Sequence, residues 1–164
     1  MKPNKHIVVS LFLIALLICP AIAAERKKSP FPEIFRRRDL VISSLRAKIV
    51  APNRIQYWWT ITNVGSAPAN LEGPTPADSD NVILQAYLSS DTIWNNAGDV
   101  PAGGTYVGHS PGSLAPHASR TGTFTANFSG NIAQFNYLTL KVDFNNVVSE
   151  SNENNNTAAV GVER

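Results

Sequence analysis

Three runs of strict two-residue alternation constrain this chain more than any other feature. In RIQYWWTITN (54–63), Ile55, Tyr57, Trp59 and Ile61 fall on one face and Gln56, Trp58, Thr60 and Thr62 on the other. NVILQAYLSS (81–90) sets Val82, Leu84, Ala86 and Leu88 against Ile83, Gln85, Tyr87 and Ser89. FNYLTLKVDF (135–144) sets Leu138, Leu140 and Val142 against Tyr137, Thr139, Lys141 and Asp143. Successive side chains of a strand point to opposite faces, so these runs predict strands buried on one side only. DLVISSLRAKIV (39–50), RTGTFTANFS (120–129) and NTAAVGV (156–162) are weaker runs of the same kind. The segment 63–81 holds three prolines, and 100–119 holds four glycines and three prolines; both read as loops. The pattern predicts an all-β, immunoglobulin-like two-sheet antiparallel sandwich of about seven strands, with a small closed barrel as the architectural alternative.

The start of the chain is of another kind. Lys2 and Lys5 precede an apolar run from Ile7 to Ile18 broken only by Ser10, and Ala21-Ile22-Ala23 supplies small residues for cleavage. That is the pattern of a secretory signal over 1–23, too short to span a bilayer comfortably. Its removal would leave no transmembrane span and would take away Cys19, the one cysteine, so stability is expected from the core alone. Residues 24–38 carry six Lys/Arg against two Glu and read as a basic flexible leader. From Asp39 onward ten acids face six bases, which argues against a nucleic-acid surface. The expected domain is 39–162, exported to the periplasm or secreted.

No motif in the chain names an enzyme. His109 and His117 both stand in Gly/Pro/Ser-rich sequence, and there is no GxSxG, HExxH or set of histidines at metal spacing. Two acidic loops invite a metal reading. The first is SDTIWNNAGDV, with Asp91, Asn95 and Asp99; the second is VDFNNVVSESNENNN (142–156), with Glu150 and Glu153. In the calcium-loop register that begins at Asp143, Val148 falls where the sharp turn needs glycine and Asn154 where a bidentate Glu belongs, so that loop type is excluded. A looser calcium site remains a candidate; the competing reading is that Asp and Asn bond to their own backbone, as turns require. Trp58, Tyr87 and Trp94 are candidate binding aromatics, for a carbohydrate if they form a platform and for cross-strand packing or a lid otherwise.

Residues 142–156 also resemble the end signature of the CARDB family, the cell-adhesion-related domains of bacteria. That signature is met by Val142, Asp143, Asn146, Val148, Glu150, Asn152, Glu153, Asn155 and Asn156. DLVI (39–42), WTITNVGSAPA (59–69), YLSSD (87–91) with Asp99, and SLAPHAS (113–119) are similar to earlier family segments in the same order. The resemblance implies an immunoglobulin-like sandwich with no catalytic residues and no fixed ligand. His117 departs from it, standing where members commonly have the glycine of an L-x-P-G turn, so a different turn is expected there. The signature residues are expected to turn the chain and satisfy loop amides. The functional expectation is a non-catalytic interaction or adhesion module for an envelope or cell-surface protein. A carbohydrate-binding module is the alternative, and a calcium-stabilised accessory domain or a hydrolase stands behind it.

Overall fold

The computed structural model describes residues 37–72, 81–107 and 112–164. The signal, most of the basic leader and His109 lie outside them. Leu40–Ala51 (β1) and Arg54–Asn63 (β2) form a long antiparallel hairpin, and Ser119–Asn127 (β7) pairs with the far side of β2. Ile83–Ser89 (β4) lies between Val100–Tyr106 (β5) and Tyr137–Lys141 (β8), and Thr157–Glu163 (β9) pairs with β8. Ala69–Asn70 (β3) and Ser113–Leu114 (β6) make a separate two-residue pair. The alternation sorts side chains as the sequence predicts: in β2 Ile55, Tyr57, Trp59 and Ile61 are buried and the residues between them partly exposed.

These strands make a sandwich of two layers, β7-β2-β1 and β5-β4-β8-β9, packed over one core. The antiparallel expectation needs one correction. β9 pairs with β1 in parallel, at Ala47–Val162 and Lys48–Glu163, so hydrogen bonding runs unbroken through the order β5-β4-β8-β9-β1-β2-β7. At the opposite side β5 and β7 approach so closely that a Cβ on Gly103 would lie 2.8 Å from the Phe124 ring. Leu84, Leu88, Leu138 and Leu140 from one layer and Ile55, Tyr57 and Ile61 from the other are at most 1% exposed. Full burial of such a side chain contributes about 1.5–3 kcal/mol, and truncation of one to alanine costs about 2–5 kcal/mol because the cavity adds to the lost transfer energy.

The loop reading of 100–119 is the second correction, since that segment contains β5 and β6. Gly103 sits at φ +92°, next to a register shift between Ala86 and Tyr87, and Pro101 stands on the edge strand. A bulged edge strand accommodates both residue types, which a central strand would not.

Candidate functional site

The polar string at 142–156 is an ordered clasp. Val142 is fully buried, and the chain then turns through Asp143 at φ +50° and Asn146 at φ +52°, left-handed positions that short polar side chains tolerate. Asp143 is itself fully buried, and its two carboxylate oxygens accept the N–H groups of Val147 (2.8 Å) and Val148 (2.9 Å). Burial pushes its carboxyl above the ordinary aspartate range, and those two N–H bonds oppose the shift. The same turn is tied to β4: Asn145 donates to the Asn81 carbonyl (2.8 Å) and accepts from the Ile83 N–H (3.1 Å). Val148 then enters the core at 2% exposure.

Glu150 fastens the beginning of the domain to this loop. One carboxylate oxygen accepts the Leu40 N–H at 2.5 Å and the other the Asn156 side-chain amide at 2.9 Å. Burial pushes this carboxyl up to about 7; the Asp143 and Glu153 charges add to the shift, and the Leu40 and Asn156 donors oppose it. Around it, Ser151 donates its N–H to the Arg38 carbonyl (2.8 Å) and its hydroxyl to Asp39 (2.7 Å), while Asn155 donates to the other Asp39 oxygen (2.8 Å). Glu153 accepts the Glu150 N–H (2.9 Å) and Asn152 the Asn154 N–H (3.1 Å). The loop amides are thus satisfied by the loop's own side chains.

A second polar anchor, Asn63, was passed over in the sequence except as part of a Thr-Asn-x-Gly string. It is completely buried: its amide donates to the carbonyls of Ala67 (2.8 Å) and Leu114 (3.0 Å), and its oxygen accepts the N–H groups of Asp39 (3.3 Å) and Gly65 (3.0 Å). Gly65 is required by close approach, because a Cβ there would lie 2.3 Å from the Arg37 carbonyl oxygen. Asn63 and Glu150 therefore hold residues 37–40 from two sides.

The acidic loop at 90–99 is also bonded to itself. Asp91 accepts the Ile93 N–H (2.7 Å) and the Asn96 amide (2.8 Å), which hold its carboxyl below the ordinary range, and Asp99 accepts the Asn96 N–H (3.1 Å). Asn95 is exposed at φ +52°, and the Asn96 side-chain oxygen and the second Asp99 oxygen are buried without a donor. This loop and the Glu150–Glu153 clasp are separate places. Among the described residues no group of three or more His, Cys, Asp or Glu converges as a metal centre.

The three candidate aromatics divide between the layers. Trp94 folds back onto the outer face of β4, edge-to-face with Tyr87 at 5.0 Å and 89°, and it meets Phe144 at 6.5 Å and 61°. Trp58 lies on the outer face of the other layer under the Arg46 guanidinium, 5.5 Å from the ring centroid. The three rings do not share one plane. Phe144 is 42% exposed, and Ile93, beside Trp94, is 61% exposed; neither was singled out in the sequence. His117 is exposed at φ +61°, a left-handed turn residue. No helix among the described residues is long and apolar enough to cross a membrane.

Fold and side chains together define a β-sandwich whose buried polar groups tie residues 38–40 to the last loop. The CARDB family model matches residues 37–160, and the chain belongs to that family. Among solved structures it is similar to the CARDB domain of the PF1109 protein from Pyrococcus furiosus, crystallised in complex with di-metal ions. The identity is 19%, 79% of this chain and 96% of that one are covered, and the TM-score is 0.49. The solution structure of the same domain gives 18% identity, 78% and 97% coverage and a TM-score of 0.46. A GH3 beta-glucosidase from Bifidobacterium adolescentis is matched at 13% identity over 77% of this chain and 17% of the enzyme, with a TM-score of 0.40. No curated protein matches.

Proposed function

We infer that the chain is exported under the direction of residues 1–23 and serves as an adhesion-type module that docks a protein partner in the envelope or on a cell surface. One observation carries the reading: a group of exposed apolar side chains at and beside the outer face of the β5-β4-β8-β9 layer. Ile93, Phe144 and Tyr106 are 61%, 42% and 41% exposed. They are linked through Trp94 and Tyr87, through the Phe144 N–H bond to the Ile83 carbonyl (3.1 Å), and through the Ile83–Tyr106 register pair. Exposed aromatic and aliphatic side chains gathered this way supply the desolvated centre of a protein interface. Their tilted rings and the bare isoleucine suit a protein surface better than a sugar ring.

Photo-crosslinking amino acids placed at Ile93, Phe144 and Ser44 in intact cells test the docking. A discrete adduct is expected at the first two positions and none at Ser44, and Phe144→Glu should abolish the adduct at 93. Equal labelling at all three, or an adduct insensitive to Phe144→Glu, refutes it. Export is tested separately by the N-terminus of the cell-derived protein, expected just after Ala23 or Ala24; a retained Met1 refutes it.

A further inference from the structure

The hydrogen-bonded order ends at two strands, β5 and β7, and they are built differently. β5 carries Pro101, Gly103 at φ +92° and a register shift opposite Ala86 and Tyr87. Proline and a bulge are the usual means by which an edge strand turns away a further strand. β7 has neither. Its nine residues run beside β2 without a register shift, and none of them is proline. Arg120, its one charged residue, is engaged by the Val107 carbonyl.

The phase of the β2–β7 ladder decides which backbone groups stand at this edge. At one end the Asn63 N–H donates to the Ala118 carbonyl (3.0 Å), and at the other the Phe128 N–H donates to the Asn53 carbonyl (2.8 Å). Bonded pairs alternate along an antiparallel ladder, so the even-numbered residues of β7 turn their N–H and C=O toward β2. Ser119, Thr121, Thr123, Thr125 and Asn127 therefore turn theirs to the open side, where no described strand pairs with them. The side chains of these same residues are exposed, and none is charged.

We propose that β7 pairs antiparallel with β7 of a second copy of this chain, about a two-fold axis at Thr123. Odd positions then meet odd positions: Thr123 faces the partner's Thr123, Thr121 the partner's Thr125, and Ser119 the partner's Asn127. In that register the edge N–H and C=O groups of all five residues find complements, whereas a slip of one residue would put every one of them out of phase. Threonine opposite threonine is a favourable cross-strand pair, and no like charges meet along the row. A symmetric contact uses the same surface on both chains, so it closes on itself. The guarded β5 edge then ends the assembly at two chains. The contact goes beyond the docking surface and lies on the other layer, so its failure leaves the crosslinks at Ile93 and Phe144 unaffected.

The protein recovered from cells is examined under reducing conditions by sedimentation equilibrium from about 1 µM to about 1 mM, with amide hydrogen exchange at both limits. A monomer–dimer equilibrium is expected. Exchange at Thr121, Thr123 and Thr125 should slow as concentration rises, while Gly122 and Phe124, bonded to β2, stay unchanged. Thr123→Pro removes an edge donor and no ladder bond to β2, so it should abolish dimerisation and keep a cooperative thermal transition. Thr123→Lys sets like charges opposite each other and should raise the dissociation constant about tenfold or more, which carries the test if the proline variant unfolds. A monomer at every concentration would leave the edge to a strand of another protein and overturn the proposal. Assembly beyond a dimer, concentration-dependent exchange that does not alternate along β7, or unchanged dimerisation in the folded variants would overturn it as well.

Discussion

Replacing Glu150 by glutamine should invert the ordinary expectation for a buried, doubly bonded carboxylate. The folded carboxyl titrates at about 7 against a reference of 4.5, so between those values the folded state holds a proton that the unfolded chain has lost. Stability from this group is therefore complete below about pH 4 and declines as pH rises through the folded value near 7. The displacement corresponds to about 3 kcal/mol at full effect, and partial solvent access at the loop surface brings it to about 2 kcal/mol. Glutamine keeps an oxygen for the Leu40 N–H and presents its amide to Asn156, whose own oxygen is buried without a donor and needs only an amide rotation to accept. Urea unfolding of both proteins at pH 4.5, 6 and 8, followed by tryptophan fluorescence, measures the difference directly. Asp143, displaced in the same direction, remains in both proteins and adds a pH dependence of its own to each. Relative to the parent, Glu150→Gln should gain about 2 kcal/mol between the two pH extremes, a midpoint change of about 1 M urea. Parallel pH curves for the two proteins would refute the reasoning.

Asp143→Ala strips the Val147 and Val148 N–H groups of their acceptors and should lower unfolding free energy by about 2 kcal/mol, read as a lower urea midpoint at pH 7. Asn63→Ala removes four hydrogen bonds at a fully buried position and should cost about 3 kcal/mol or more, with hydrogen exchange at Asp39 and Gly65 accelerating first. His117→Gly relieves a left-handed residue at φ +61° and keeps the backbone bond from residue 117 to the Asn63 carbonyl (2.7 Å). Part of the relief is offset by the greater freedom of glycine in the unfolded chain, so a gain of about 0.5 kcal/mol in thermal melting is expected.

The sandwich was legible wherever one face is apolar and the other polar, as in β2 and β4, because burial on a single side leaves a period of two in the sequence. β5 was not legible. Its Pro101 and Gly103-Gly104 carry turn chemistry, and they become strand residues only because a bulge opposite Tyr87 and the Phe124 ring across the gap accept them. Nothing local in the chain announces such a partner. The clasp stands at the other extreme: the left-handed Asp143 and Asn146 and the amide-satisfying Glu150, Asn152 and Glu153 follow from their side chains alone. What they fasten could not be read, because Leu40 lies 110 residues from Glu150 along the chain. The apolar patch escaped for the same reason, since Ile93, Phe144 and Tyr106 come from three separate segments.

The parallel pairing of β1 with β9 also sets how the domain bears load. Residue 37 precedes β1 and residue 164 follows β9, so a pull between them draws the two parallel strands past each other along their axes. The Ala47–Val162 and Lys48–Glu163 pairs and the Arg46–Glu163 ion pair then share the force and must yield together, whereas a hairpin pulled from its open end gives way one bond at a time. The clasp on Leu40 and the Arg38 carbonyl adds a further set of bonds beside the point where tension enters. A module stretched between two attachments is held in shear, its mechanically stronger direction.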